Sequence, residues 1–219
     1  NIIQYLMNAN NLGVKRVITA NIPSNLFKLI SKTVEDEIRI YTWQWLRILS
    51  RAKKIMKIKT LDEELDLEPM FKELITDSNL EIQKLGLAIT CNFSIDFPGM
   101  IVKFKDFMPL LKDFITQDKA PDLKYFAIKT IKNLLYAGHP QNVLKDAEKI
   151  IFDWISIKQI YELLDDEQTR VKDQAVLIFK SLKQSSEKNN DNNDDDKNKS
   201  ILDTIEEDYI KERIKRLEE

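Results

Sequence analysis

The chain has 219 residues, of which 43% are hydrophobic and 4 are glycine, so it can bury a sizeable core but lacks the glycine typical of phosphate-binding loops and sheet-rich folds. Its 34 basic and 36 acidic residues leave a formal net charge of −2, which predicts no general attraction to nucleic acid or to an anionic membrane. The single cysteine excludes a disulfide framework and is typical of a reducing compartment, and no apolar stretch reaches the roughly 18 residues of a membrane span.

The predicted elements begin with the end of a preceding repeat in residues 1–22, which Gly13 interrupts. We expect no signal peptide in these first residues, and because the first residue is not Met we expect a fragment or a processed form. Pro23 then supplies a helix start. The first helix of a hairpin is predicted at four places: Leu26–Ile30, Met70–Ile75, Phe107–Ile115 and Ile157–Leu164.

A second helix follows each of these after a short polar turn, and its pattern recurs in four windows: Glu37–Ser50, Glu81–Ser94, Asp122–Leu135 and Arg170–Lys183. The second, tenth and thirteenth residues of the windows are nearly all apolar, which places them on one helix face with the sixth. The sixth residue is small or short, so that a neighbouring helix can approach closely: Thr42, Gly86, Ala127 and Ala175. The windows start 44, 41 and 48 residues apart, close to the roughly 40–47 residues of armadillo and HEAT repeats.

We therefore predict an all-α, armadillo/HEAT-like right-handed superhelix of about four repeats, because such hairpins bury their apolar faces against one another. The repeats are expected at about residues 23–59, 60–100, 101–140 and 141–184. The polar, low-complexity segment 185–200 is predicted to be a disordered linker, and 201–219 a charged helix whose apolar residues could dock on the last repeat.

Residue types that carry chemistry are few. His139 lies in a turn and is interpreted as a solvated side chain, and Cys91 as a small packing residue, so we expect no metal site, no cofactor and no enzymatic activity. The acidic clusters Asp62–Glu64 and Asp165–Glu167 are interpreted as turn and helix-start residues. The basic run Lys53–Lys59 could touch an acidic partner but is better explained as the end of an amphipathic helix.

Two stretches resemble one family in particular. They are Asn79–Met100 (NLEIQKLGLAITCNFSIDFPGM) and Leu123–Gly138 (LKYFAIKTIKNLLYAG), the second followed by Ile160–Leu182. Together they resemble the armadillo-repeat scaffold subunit of the GID/CTLH E3 ubiquitin ligase, of the vacuolar import and degradation family. The resemblance covers about residues 37–183. The Asn near the helix end recurs only as Asn92 and Asn133, and the preceding Trp of nuclear-import receptors is absent.

The resemblance implies a non-catalytic adaptor in a hetero-oligomeric complex of the cytoplasm and nucleus. It would hold a substrate-receptor subunit in a concave groove and connect it to LisH/CTLH scaffold subunits, for the degradation of metabolic enzymes. Neither a nucleic-acid partner nor a membrane span is expected. The alternative is a peptide- or cargo-binding adaptor of another armadillo class, a transport or chaperone co-factor, for which an acidic groove would argue.

The groove residues follow from the repeat pattern. In a stacked armadillo array the last helix of each repeat lines the concave face, so positions of the windows that are not used for core packing are expected to face a partner. Asn can pair with a peptide backbone, and Tyr offers apolar area with a polar tip. Trp43 aligns with core positions instead, and Trp45 and Trp154 stay unassigned. The predicted partner-binding residues are Tyr41, Gln44, Lys84, Asn92, Tyr125, Lys129, Asn133 and Tyr136.

Overall fold

The computed structural model describes five ranges of the chain: residues 35–51, 67–101, 107–116, 120–136 and 138–190. Within these ranges the regular elements are all helices. The chain divides into two compact units, Asn1–Asp96 and Phe97–Glu219. Several predictions fall outside the described residues: the partial repeat 1–22, the helix Leu26–Ile30, the basic run Lys53–Lys59, the acidic cluster Asp62–Glu64 and the helix Ile201–Glu219.

The first unit contains three described helices: α1 (Asp36–Leu49), α2 (Leu67–Ile75) and α3 (Leu80–Asp96). The last of them, α3, packs against both α1 and α2. It begins after Asn79, whose Oδ1 accepts the backbone N–H of Glu81 at 3.0 Å and that of Ile82 at 3.4 Å. Because the first N–H groups of a helix have no carbonyl partner, this side chain satisfies two of them and fixes the start of α3.

Gly86 sets how closely α3 approaches α2. A Cβ at this position would lie 2.6 Å from Cβ of Leu74 and 3.2 Å from Cγ2 of Ile75, so only glycine allows the observed approach. The other residues at the sixth window position, Thr42, Ala127 and Ala175, are buried as well. The prediction that a small residue there admits a neighbouring helix is confirmed.

Aromatic side chains fill much of the core of the first unit. Phe71 of α2 and Phe93 of α3 meet edge to face, with ring centroids 5.4 Å apart. The expectation that Trp43 belongs to the core is confirmed, since it is 3% exposed. Trp45, left unassigned by the sequence, is buried too. Thr42, which directly precedes Trp43, donates its hydroxyl hydrogen to the carbonyl of Ile38 at 2.8 Å.

The second unit contains six described α-helices and one short 3-10 helix: α4 (Pro98–Ile101), α5 (Phe107–Thr116), α6 (Pro121–Leu134), α7 (Gln141–Trp154), α8 (Ile157–Glu162), the 3-10 turn Leu163–Asp165 and α9 (Thr169–Asn190). α6 packs against α5 and α9, and α7 against α4 and α5. Pro121 opens α6, where its missing N–H has no intrahelical partner to lose. Ser156 and Gln159 form a capping box at the start of α8.

The predicted apolar face is buried with one exception. At the second window position Ile82, Leu123 and Val171 are at most 1% exposed, whereas Ile38 is 38% exposed. The prediction is wrong for Ile38, because it lies in the first turn of α1, where packing against α3 leaves part of its side chain in solvent. All four residues of the tenth position are buried: Leu46, Thr90, Ile131 and Phe179.

The end of α9 also differs from the sequence-based expectation. The helix continues to Asn190, so Ser185–Asn190 is helical where a disordered linker was predicted. Glu and Lys are good helix formers, and adding a residue to an existing helix is far easier than starting one, so a packed beginning carries the helix into polar sequence. Residues 191–200 of the predicted linker lie outside the described residues.

Candidate functional site

The exposed side of α1 is aromatic and uncharged over its middle turns. Tyr41 is 61% exposed, Gln44 is exposed, and Ile48 is half-buried, while the residues on either side of Gln44 are buried. These three positions are spaced by three and four residues and therefore lie on one helix face. The structure thus presents both predicted residues of α1, Tyr41 and Gln44, on a single surface, which we call the α1 face. Their contact with a partner stays a prediction.

In α3 the predicted residues are less exposed. Lys84 and Asn92 are both half-buried, and Ala88, which lies between them on the same side of the helix, is only 3% exposed. Ile95 follows on this side and is 53% exposed. The α3 surface available to a partner is therefore narrower than the α1 face.

Asn92 is partly used inside the protein. Its Nδ2 donates to Oγ of Ser50 at 2.7 Å, and the Ser50 hydroxyl donates its own hydrogen to the carbonyl of Arg47 at 2.7 Å. Because the Ser50 hydroxyl already donates its hydrogen to Arg47, it can only accept from the Asn92 side chain. The group facing it must therefore be the NH2 of Asn92, which fixes the orientation of that amide. Asn92 therefore ties α3 to the end of α1, and among the described residues its Oδ1 accepts no hydrogen bond.

A polar network joins the turn before α3 to the start of α1. Asp77 accepts the backbone N–H of Asn79 on Oδ1 at 2.8 Å and an ion pair from Arg39 on Oδ2. The side chain of Asn79 donates to Oδ2 of Asp36 at 2.8 Å, and Arg39 also pairs with Asp36 at 2.9 Å. The side chain of Asp77 is 7% exposed, so its charge is compensated within the protein rather than by water.

The network shifts the pKa values of Asp36 and Arg39. The hydrogen bond from Asn79, and then the one from Arg39, lower the pKa of Asp36 below its ordinary value. Burial opposes the charge of Arg39, but hydrogen bonds and charge attraction from Asp77 and Asp36 outweigh it and raise the pKa of Arg39. Both shifts favour the charged forms that hold the turn in place.

The exposed side of α6 carries cations around a tyrosine. Lys129 donates from Nζ to the hydroxyl of Tyr125 at 3.1 Å, and the same Nζ lies 5.3 Å from the ring centroid. Arg170, from the start of α9, places Cζ 4.9 Å from that centroid. Lys132 and the 53% exposed Tyr136 continue this surface along the helix. We call these four residues of α6 and the turn that follows it the α6 face: Tyr125, Lys129, Lys132 and Tyr136.

Asn133 lies beneath the α6 face rather than on it. The residue is 4% exposed, and its Oδ1 accepts from Nζ of Lys132 at 3.3 Å. Its backbone carbonyl accepts from Nε2 of His139 at 2.7 Å. The two asparagines that the sequence treats as equivalent therefore differ, with Asn92 half-buried and Asn133 buried. Whether either binds a partner stays a prediction.

His139 is not the freely solvated side chain that the sequence suggested. Its Nε2 bonds a carbonyl, which only accepts, so the proton of the neutral ring belongs on Nε2. The ring also packs edge-on against Tyr136, with centroids 5.5 Å apart. A Cβ on Gly138 would lie 2.8 Å from Cζ of Tyr136, so the glycine leaves room for this ring. The turn after α6 is therefore closed by specific contacts that composition does not reveal.

The turn before α9 repeats the network of the first unit. Asp166 accepts the backbone N–H of Gln168 on Oδ1 at 2.9 Å and an ion pair from Lys124 on Oδ2. Arg170 pairs with Asp122, in the first turn of α6, at 2.6 Å. The sequence analysis placed Asp165–Glu167 in a turn but missed these partners. The available signal was a basic residue at the third window position, in Arg39 and Lys124, about forty residues before a turn aspartate.

Within the described ranges, no group of three or more His, Cys, Asp or Glu side chains could hold a metal ion. The thiol of Cys91 is buried in the first unit, in agreement with its interpretation as a packing residue. No helix among the described residues is long and apolar enough to cross a membrane.

Solved structures with a similar fold are armadillo repeat proteins. A computationally designed armadillo repeat protein for modular peptide recognition matches with a TM-score of 0.68 and 20% identity, over 82% of this chain and 72% of the other. A designed armadillo repeat protein in complex with the peptide (KR)4 matches with a TM-score of 0.69 and 18% identity, over 84% of this chain and 77% of the other. A third designed armadillo repeat protein matches with a TM-score of 0.64 and 18% identity, over 89% of this chain and 84% of the other.

The predicted all-α, armadillo-type repeat fold is confirmed by these matches. No protein-family model matches the sequence, and no curated protein matches it either. The likeness to the designed proteins is one of fold, since identity is 20% or less.

Proposed function

We propose that this chain is a non-catalytic protein-binding adaptor that takes extended segments of other proteins across the second helices of its hairpins. The observation that carries the proposal is the composition of the α1 and α6 faces. Tyr41 and Gln44 are exposed on α1, and Tyr125 and Lys129 form a second polar and aromatic surface. Aromatic residues with polar tips are typical of protein interfaces. Two of the structural neighbours are peptide-recognition proteins, which supports the same use here.

Photo-crosslinking tests the adaptor proposal. A photoreactive amino acid replaces Tyr41 or Tyr125 in the full chain, and cross-linked proteins are identified from a lysate of the native cell. Trp154 provides the matched control, because it is aromatic and 45% exposed but lies on α7, outside the two faces. We expect positions 41 and 125 each to capture proteins that position 154 does not. Recovery of no protein, or of the same proteins from all three positions, would contradict the proposal.

The more specific proposal is a scaffold subunit of a GID/CTLH-type E3 ubiquitin ligase in the cytoplasm and nucleus. It holds a substrate-receptor subunit and connects it to LisH/CTLH subunits, and the ligase chemistry belongs to other subunits. The resemblance of Asn79–Met100 and Leu123–Gly138 to that family supports this assignment. Affinity purification of the tagged full chain followed by mass spectrometry should recover RING and CTLH-type subunits. Recovery of stable partners without either would rule the assignment out.

The alternative is a peptide- or cargo-binding armadillo adaptor of another class, a transport or chaperone co-factor. The α6 face argues against one form of it, a transport receptor for basic peptides. A surface for basic peptides requires carboxylates, as charge complementarity governs both specificity and association rate. On α6 the single acid, Asp122, is already paired with Arg170. The two lysines of the α6 face, Lys129 and Lys132, would repel a basic peptide.

A further inference from the structure

The α6 face gathers hydrogen-bond donors around the ring of Tyr125. Because Lys129 donates to the Tyr125 oxygen, the phenol retains its own hydrogen and can donate it. Lys129 has two further N–H groups, and among the described residues its contacts are all with the neutral Tyr125. Arg170 is 45% exposed and keeps donors beyond those bound to Asp122 and Gln168.

The charges around this ring do not cancel. Lys129 and Arg170 both lie close to the Tyr125 centroid, so their charged groups are no more than about 10 Å apart. The negative charge of Asp122 cancels the positive charge of Arg170, and the charges of Lys124 and Asp166 cancel each other. One positive charge therefore remains beside Tyr125. A set of hydrogen-bond donors with one excess positive charge suits an anion.

The rest of the surface selects a peptide over a small ion. Lys132 lies on the same side of α6 as Lys129, three residues further, and Tyr136 follows one turn later. Along α9 the half-buried residues after Arg170 include the cations Lys172 and Lys180 as well as Asp173, so this neighbouring helix adds no net negative charge. A row of aromatic and cationic side chains at helical spacing fits an extended chain that carries carboxylates at intervals.

We propose that the α6 face binds an acidic peptide segment of a partner protein, with a carboxylate seated among Tyr125, Lys129 and Arg170. This inference rests on the proposed adaptor function and names the chemistry of its ligand. It is the opposite of the (KR)4 ligand that one of the structurally similar designed proteins binds. Because the site is exposed, the interaction weakens as salt screens the charges.

Fluorescence anisotropy with the full chain tests the proposal. The probes are four labelled eight-residue peptides: alternating Asp and Glu, alternating Lys and Arg, a neutral Ser and Gly control, and the same control with its serines phosphorylated. We expect the acidic peptide to bind most tightly, and to bind more weakly as ionic strength rises from about 0.05 M to about 0.3 M. Equal or tighter binding of the basic peptide would overturn the proposal. A phosphopeptide that binds when the acidic peptide does not would overturn it as well.

Three variants localise the binding. Lys129→Ala should weaken binding of the acidic peptide about five- to tenfold, since it removes a charged hydrogen-bond donor. Tyr125→Phe keeps the ring between the cations but removes the phenol donor, and should weaken binding about threefold. Lys158→Ala removes an exposed lysine of α8 and serves as the matched control, with affinity unchanged.

If Lys129→Ala and Lys158→Ala weaken binding of the acidic peptide equally, the peptide is attracted by the general charge of the protein, and the proposed binding site is wrong. Circular dichroism melting of each variant confirms that it is folded, and both lysines are surface residues whose removal leaves the core intact. If the acidic peptide does not bind while photo-crosslinking at position 125 still captures a partner, the acidic ligand is wrong and the adaptor proposal stands. If neither occurs, both fail.

Discussion

The two units build the same turn from different residues. In the first unit Asp77 caps the N–H of Asn79 and pairs with Arg39, and in the second Asp166 caps the N–H of Gln168 and pairs with Lys124. In both, the basic residue comes from the first turns of the earlier window, about forty residues before the aspartate. The recurrence shows that the repeat period fixes not only apolar packing but also a buried polar link between successive hairpins.

The exposed faces, by contrast, do not repeat. The α1 face is aromatic and uncharged at Tyr41 and Gln44, whereas the α6 face surrounds Tyr125 with Lys129 and Arg170. Buried positions must satisfy packing and hydrogen bonding in every repeat, so their chemistry is constrained. Exposed positions are free of that constraint and can differ between repeats, which is where a repeat protein acquires specificity.

The largest expected effect on the free energy of unfolding comes from enlarging the small residue at the sixth window position. Gly86→Val should lower the free energy of unfolding by about 3 kcal/mol, because a Cβ there overlaps Leu74 and the helices must separate. Ala127→Gly, at the same window position in the second unit, should cost only about 1 kcal/mol, the penalty for glycine within a helix. Urea denaturation measures both. A Gly86→Val protein as stable as the parent would show that α2 and α3 can repack freely.

The turn aspartates come next. Asp166→Ala should lower the free energy of unfolding by about 2 kcal/mol, because it removes a cap for Gln168 and leaves Lys124 without its acid. Asp166→Asn retains the capping oxygen and should recover part of the loss. Asp77→Ala should behave alike, if the two turns are equivalent. A large loss of unfolding free energy from one of these substitutions and none from the other would show that the two turns are not equivalent.

Substitution of the two asparagines should lower the free energy of unfolding by different amounts. Asn133→Ala removes a buried amide and should cost about 2 kcal/mol, whereas Asn92→Ala at a half-buried site should cost about 1 kcal/mol. A double-mutant cycle with Ser50→Ala isolates the hydrogen bond between α3 and α1. If Ser50→Ala and Asn92→Ala add without coupling, that hydrogen bond contributes nothing to stability.

The smallest effect is expected in the acidic and amide-rich segment after α9. Deletion of Asp191–Lys199 removes only polar side chains and therefore no apolar burial, so the melting temperature should not change measurably. Differential scanning calorimetry of the full and deleted chains provides the comparison. A lower melting temperature in the deleted chain would show that the segment contributes to the folded structure.

The sequence predicted where the second helix of each hairpin begins and several of its buried positions. The windows predicted the starts of α1, α3, α6 and α9 to within one residue, since helix periodicity is a local property. They also predicted burial of Trp43 and the close approach at Gly86. The end of α9 was wrong, because composition alone suggested a linker where a packed helix continues to Asn190.

The sequence by itself therefore determined that the chain forms helical hairpins of armadillo type, because a small residue and an apolar stripe at fixed spacing leave few other ways to bury the core. Only the tertiary structure decided which polar residues meet. Arg39 reaches Asp77, Asn92 reaches Ser50, and His139 turns back to Asn133. The first two contacts join residues about forty positions apart, and they depend on how neighbouring helices are rotated and spaced, which a local sequence pattern does not report. The third depends on the path of the turn after α6.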